Sequence, residues 1–137
     1  MSSNLRTIDY FYVMIPNTAG QGSRVLAALA DEGVNLLAFS GFPSGRKGQL
    51  DLIPENTTQF LRAAKKLKIK LSRKKTGFLV QGDDRVGALA KLLQTLADAR
   101  INITAMDAVS SGKGRFGAIF WVKPAAVAKT AKLLRAR

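Results

Sequence analysis

The sequence lacks cysteine and histidine altogether. The first absence excludes disulfides, thiolate catalysis and cysteine metal sites, and the second removes the usual general base and the usual transition-metal ligand. Only 9 acidic residues accompany 22 lysines and arginines, so the formal net charge is 22 − 9 = +13. The acids are scattered and form no convincing catalytic pair. We therefore expect a non-enzymatic protein with no catalytic residue, no metal site and no cofactor.

Long apolar runs are missing as well. The 137 residues, 47% of them hydrophobic, are enough for one domain or two small ones with a packed core. No apolar run approaches the roughly 20 residues that span a bilayer. The opening residues 1–6 have no apolar core of the kind found in signal peptides. We expect a soluble, cytoplasmic protein that makes no membrane contact.

The chain contains an internal repeat. A shift of 67 positions aligns the sequence with itself, without gaps, along most of its length. The repeating unit of about 65 residues is close to the size at which a lone hydrophobic core becomes marginal. We therefore expect two units, at 7–71 and 76–137, that pack on each other. Identical pairs include Phe11 with Phe78, Gly20 with Gly87, Leu29 with Leu96, Asn35 with Asn102 and Ala64 with Ala131.

Each unit has the pattern strand, helix, strand, strand, helix. Aromatic and β-branched runs predict first strands at 10–15 and 78–80, and leucine spacing predicts the helices that follow. Ser-Gly-basic turns at 44–46 and 111–113 predict hairpins. This order is typical of the α+β class, in ferredoxin-like units with helices on one face of an antiparallel sheet. The remaining strands are predicted at 34–42, 49–53, 101–109 and 115–122.

The second unit apparently lacks its last strand. A strand at 69–71 follows the second helix of the first unit, but its equivalent would begin near residue 136. We predict that 69–71 forms a hairpin with 78–80 and serves the sheet of the second unit. One sheet edge then lacks a strand, and open edges pair with other chains. A homodimer is the natural expectation.

The first candidate site is the turn between the first strand and the first helix. It contains Asn17 and Gly20 in one unit, and Asp84 and Gly87 in the other. Backbone N–H groups at a helix N-terminus can hold a carboxylate while the side-chain oxygen accepts from an ammonium group. The alternative is that Asn17 and Asp84 are simply helix N-caps.

The second candidate site is an asparagine between two aliphatic residues at the start of the second strand. Asn35 and Asn102 occupy this position in the two units. An amide can donate to a ligand carboxylate and accept from an ammonium group. Alternatively, each side chain bonds nearby backbone across the turn from helix to strand.

Together these features resemble the ACT domain, a family of small regulatory modules that bind amino acids. The resemblance rests on the Asx-x-x-Gly turn, the apolar helix and the aliphatic-Asn-aliphatic strand start, and covers both units. It implies a ferredoxin-like βαββαβ fold and a free amino acid bound where two units meet, with a separate protein receiving the signal. Asp84 departs from the amide of the first unit, so one competent site is as compatible with the sequence as two. The implied ligand shell is Asn17, Gly20, Asn35, Asp84, Gly87 and Asn102.

The basic charge supports two alternatives. No acid occurs between residues 62 and 75 or after Asp107, and such a field attracts polyanions. RNA-recognition motifs share the βαββαβ plan, and residues 113–120 loosely match their sheet-face motif. The first unit has no equivalent aromatic residues. The alternatives to the amino-acid sensor are therefore a nucleic-acid-binding protein and a protein-interaction module.

Overall fold

The computed structural model describes residues 4–137; Met1–Ser3, which begin the segment considered above as a signal peptide, lie outside the described residues. The pattern strand, helix, strand, strand, helix occurs twice, which confirms the α+β class and two ferredoxin-like units in tandem. The strands are β1 (Asn4–Pro16), β2 (Leu36–Ser44), β3 (Lys47–Pro54), β4 (Lys75–Asp83), β5 (Ile103–Gly112) and β6 (Arg115–Val122). The helices are α1 (Gln21–Asp31), α2 (Thr57–Lys66), α3 (Ala90–Asp98) and α4 (Val127–Leu134), the last preceded by a 3₁₀ turn (Pro124–Ala126).

The N-terminal unit comprises residues 9–75. Its strands lie in the order β2-β3-β1 and are antiparallel, with Phe11 opposite Leu52. Alternate residues of β1 and β3 point to the same core as the apolar faces of α1 and α2. The rings of Phe11 and Phe60 lie 5.2 Å apart, a contact that adds about 1 kcal/mol beyond burial. The core therefore joins both helices to one face of this sheet.

The C-terminal unit comprises residues 76–137 together with residues 4–8. Strand β6 lies between β4 and β5 and is antiparallel to both. Phe78 lies opposite Phe120, and their stacked rings are 5.0 Å apart. Leu96 of α3 is buried in the same core, and α4 packs against it through Val127 and Ala131.

All four helices end in the same backbone motif. The second residue after α1, α2 and α3, and the first after α4, has a positive φ. The N–H of the residue that follows it donates to the carbonyl five residues back, as in a Schellman motif. Gly33 fills the left-handed position after α1, but the equivalent residues after the other helices are Lys68, Arg100 and Arg135. The motif also explains why β2 begins two residues later than predicted, since the N–H of Val34 bonds the carbonyl of Leu29.

The prediction that residues 69–71 form a strand serving the second unit is wrong. Residues 69–74 have no regular secondary structure, and Ile69 and Leu71 pack against the core of the N-terminal unit. The N–H of Ser72 donates to the carbonyl oxygen of Tyr12 at 2.9 Å. Because Tyr12 belongs to β1 of the N-terminal unit, this hydrogen bond holds the segment after α2 against its own unit.

The first residues of β1 contribute to the C-terminal unit instead. The N–H of Thr7 donates to the carbonyl oxygen of Arg137 at 2.9 Å, and the N–H of Arg137 donates to that of Leu5 at 3.2 Å. Leu5 also packs against the C-terminal core, and Ile8 is buried. Strand β1 is therefore longer than the predicted 10–15 because its two halves belong to different units. No helix within residues 4–137 is long and apolar enough to cross a membrane.

Candidate functional site

The two strand-to-helix turns have glycine where the backbone requires it. Gly20 and Gly87 have φ values of +88° and +73°, a conformation that other residues adopt only at a cost. The N-cap interpretation of the preceding Asx residues is wrong. Helix α1 is capped by Gly20 and α3 by Leu89, neither through a side-chain hydrogen bond. Asn17 and Asp84 are exposed residues of the turns, outside both helices.

The turn before α3 forms one wall of a cleft in the C-terminal unit. This cleft is shallow and largely open to solvent; it has a volume of about 490 Å³ and lies between the turn, α3 and β5. Asp84 and Gly87 line it from the turn, so the structure brings these two predicted site residues together. Apolar side chains supply most of the remaining wall. They are Leu89 and Leu93 of α3, Val109 of β5 and Phe116 of β6.

Three charged residues lie together at this turn, namely Asp83, Asp84 and Arg85, and Arg85 lines the cleft beside Asp84. Asp83 accepts from the Arg115 guanidinium at 2.7 Å, across the β4–β6 pair. The backbone N–H of Asp84 donates to the carbonyl oxygen of Gly114 at 2.8 Å, which ties the turn to the β5–β6 hairpin. The Asp84 carboxylate is exposed beside the cleft. It is placed to accept a hydrogen bond from an ammonium group there, and it would repel an anion.

The two candidate asparagines lie at the other ends of the first helices. Asn35 follows α1, and its side-chain Nδ2 donates to Glu55 Oε2 at 3.4 Å. Its backbone carbonyl oxygen accepts from the backbone N–H of Glu55 at 3.0 Å. Asn102 is exposed just before β5 and does not line the cleft. The 11 residues of α1 and the 9 of α3 span about 16 and 13 Å at 1.5 Å per residue. Within one unit, a small amino acid cannot contact both the turn and the asparagine.

Sequence reasoning missed the apolar wall of the cleft. Leu93 has the helical spacing of a core residue, yet 40% of it is exposed, and Val109 is 67% exposed. No pattern in the sequence distinguishes these side chains from buried ones. Both side chains are exposed because they line the open cleft between α3 and β5, and only the tertiary structure brings these two elements together.

The sequence of the C-terminal unit matches a known family model. Residues 78–137 match the ACT domain. The C-terminal unit is therefore similar in sequence to an ACT domain. The model covers β4 to the end of α4, and so includes the Asp84–Gly87 turn and Asn102. The N-terminal unit repeats the same order of strands and helices, so the recognition of a tandem ACT-like architecture is confirmed.

Solved structures share this architecture over nearly the whole chain. A protein from Bacteroides thetaiotaomicron superposes with a TM-score of 0.81 at 20% identity, covering 96% of this chain and 89% of its own. The regulatory subunits of aspartate kinase from Thermus thermophilus and Thermus flavus have TM-scores of 0.62 and 0.61, at 16% and 18% identity. They cover 98% of this chain, and 93% and 94% of theirs. At these identities the likeness shows the fold. No curated protein matches the chain by sequence.

Proposed function

We propose that this chain is a non-enzymatic regulatory module that binds a free amino acid through its ACT-like units. The observation that carries the proposal is the cleft beside the Asp84–Gly87 turn, where a carboxylate, a helix start and an apolar wall converge. An amino acid presents the matching groups, namely an ammonium, a carboxylate and a side chain. The regulatory subunits with the same fold give the proposal further support.

In this proposal, each ligand contacts the turn of one unit and the asparagine of another. The turn residues are Asn17 and Gly20, or Asp84 and Gly87, and the asparagine is Asn102 or Asn35. Asp84 accepts from the ligand ammonium, and turn N–H groups donate to its carboxylate. The resemblance to the ACT domain implies this arrangement. The helix lengths agree with it, because the turn and the asparagine of one unit are too far apart to share a small ligand.

The proposed assembly is a cytoplasmic homodimer that signals to a separate protein partner. Edge strands with unpaired backbone groups favour association with a second copy. A ligand that contacts two units favours the arrangement of the units that binds it more tightly. The shift in their equilibrium is set by the difference in affinity between that arrangement and the other. The regulated partner then recognises the ligand-bound arrangement.

The test is a thermal-shift screen of the protein against the twenty common amino acids, one at a time. A ligand at a hundred times its dissociation constant adds about 2.7 kcal/mol to the free energy of unfolding. We expect one or a few amino acids to raise Tm, with the shift retained at high salt. If no amino acid raises Tm at millimolar concentration, the proposal is wrong.

Two charge-matched variants locate the binding. Asp84→Asn keeps the size of the side chain but weakens the contact with the ammonium, and should reduce affinity for the active amino acid at least fivefold. Asp98→Asn removes the same charge from the far end of α3 and should leave affinity unchanged. Equal losses in both variants would contradict a role for Asp84 in the site.

A further inference from the structure

The positive charges of this protein recur at equivalent positions in its two halves. Under the 67-residue shift, 14 of the 22 lysines and arginines fall into seven cation pairs, whereas Asp31 with Asp98 is the sole pair among the 9 acids. Cations therefore occupy equivalent positions in the two halves much more often than acids do. The seven pairs are Arg6 with Arg73, Arg24 with Lys91, Arg46 with Lys113, Arg62 with Lys129, Lys65 with Lys132, Lys68 with Arg135 and Lys70 with Arg137.

Four of these pairs lie on the second helix of each unit and the residues that follow it. We call each set of four a second-helix stripe. All eight side chains are exposed. In α2 the opposite face is buried through Phe60 and Ala63, so Arg62 and Lys65 face away from the core. The N-terminal stripe is Arg62, Lys65, Lys68 and Lys70, and the C-terminal stripe is Lys129, Lys132, Arg135 and Arg137.

Carboxylates do not neutralise the stripes. Within residues 4–137, the two salt bridges that the structure contains join Lys66 to Glu32 and Arg115 to Asp83, and neither involves a stripe residue. The sequence from 62 to 75 contains no acid, nor does the sequence after Asp107. Several like charges held close together in one exposed part of the chain repel one another, and a bound polyanion relieves that repulsion.

Two stripe residues are in a conformation that favours glycine. Lys68 and Arg135 have φ values of +57° and +53° at the left-handed positions after α2 and α4. A non-glycine residue costs about 1 kcal/mol there, and Gly33 fills the same position after α1. A cation is thus retained at this point of both stripes although glycine would suit the backbone better.

We propose that the second-helix stripes bind the phosphate backbone of double-stranded nucleic acid without reading its sequence. A duplex is favoured over a single strand because base stacking needs exposed aromatic rings, and the stripes contain none. The rings of the RNA-motif-like segment do not supply them, since Phe116, Phe120 and Trp121 are all buried. A membrane surface is disfavoured because the apolar faces of α2 and α4 are already packed in the unit cores.

The first measurement is the affinity for labelled duplex DNA and duplex RNA of random sequence, by fluorescence anisotropy, as salt is raised. Four phosphate contacts from one stripe give a slope of log K against log salt of about −3.6. Affinity should then fall by roughly 150-fold between about 50 and 200 mM salt. A single strand of the same length should bind more weakly. Equal or tighter binding to single strands, or binding insensitive to salt, would overturn the proposal.

A matched pair of variants separates the stripes from the general positive charge. The stripe variant carries Arg62→Gln, Lys65→Gln, Lys132→Gln and Arg135→Gln. The control variant carries Arg24→Gln, Arg46→Gln, Lys91→Gln and Lys113→Gln, which are also exposed and duplicated but lie outside the stripes. We expect the stripe variant to lose at least tenfold more affinity than the control and to have the shallower salt slope. Equal losses would show that net charge alone attracts the duplex.

A second variant tests whether the cations serve the fold or the ligand. The double variant Lys68→Gly and Arg135→Gly relieves two left-handed backbone positions while removing two charges. We expect a higher Tm together with weaker duplex binding. A lower Tm with unchanged duplex binding would show that these residues serve the helix ends only, contrary to the proposal. An acidic polypeptide that displaces the duplex at equal charge concentration would also overturn it, in favour of an acidic protein partner.

Discussion

Tyr10 gives the clearest pH dependence at the scale of single residues. Burial and, to a smaller extent, the negative charge of Asp51 raise the pKa of its hydroxyl above the usual 10.0. The folded state therefore holds this proton more tightly than the unfolded state. The resulting stabilisation is fully present below about pH 10 and is lost as pH rises through the raised pKa.

The Tyr10→Phe variant isolates this contribution. Urea unfolding followed at pH values between about 9 and 11 should show a smaller loss of stability with pH in Tyr10→Phe than in the parent protein. Identical pH profiles for Tyr10→Phe and the parent would contradict the prediction.

Individual residues were predictable where local chemistry decides their conformation. Gly20 and Gly87 follow from the spacing of their turns, and both have the positive φ that demands glycine. Asn17 and Asp84 were ambiguous between cap and site, because both residue types serve either role; the structure begins α1 at Gln21 and α3 at Ala90, beyond both of them. The contact between Asn35 and Glu55 spans 20 residues, and no local pattern indicates it.

At the scale of elements, the first half of β1 should control the stability of the C-terminal unit. Thr7→Pro removes the N–H that bonds Arg137, and a lost backbone bond together with local distortion should cost about 1–3 kcal/mol. Trp121, the sole tryptophan of the sequence, is buried in this unit, so its fluorescence during urea unfolding reports the effect.

Thr7→Ala is the control for that variant. It keeps the backbone donor and loses only the side-chain bond from Thr7 Oγ1 to the Arg137 carbonyl, at 3.2 Å. The urea midpoint should fall much less than in Thr7→Pro. A parental midpoint in Thr7→Pro would show that residues 4–8 are dispensable to the unit.

The helices and strands themselves were largely predictable, but the assignment of the segments 4–8 and 69–71 to one unit or the other was not. Aromatic and β-branched runs, leucine spacing and Ser-Gly-basic turns located the six strands and four helices. Strand β6 matches the predicted 115–122, and the other boundaries are displaced, most of all the start of β1. The prediction for 69–71 failed because an apolar run of three residues is equally compatible with a strand and with an extended segment. Nothing local shows that residues 4–8 belong with a unit that begins at residue 76.

At the scale of the whole molecule, the proposed homodimer depends on exposed edge strands. Strand β5 borders the sheet of the C-terminal unit, and most of its residues are exposed. Val109→Lys places a charge on this edge and should abolish dimerisation, because edge charges oppose strand pairing. Light scattering after gel filtration measures the mass, with Ser111→Lys at the hairpin end as control. A dimer that survives Val109→Lys would exclude this edge as its interface.

The backbone bonds between Thr7 and Arg137 also have a consequence for the order of folding during synthesis. They join residues 130 positions apart, whereas the N-terminal unit is a continuous segment, 9–75. Domains generally fold as units while the ribosome is still extending the chain. The N-terminal unit can therefore fold as soon as residue 75 has left the ribosome. Residues 4–8 must then wait for more than sixty further residues before they meet their partner, so the backbone groups of Leu5 and Thr7 stay without these bonds until synthesis of the chain is nearly complete.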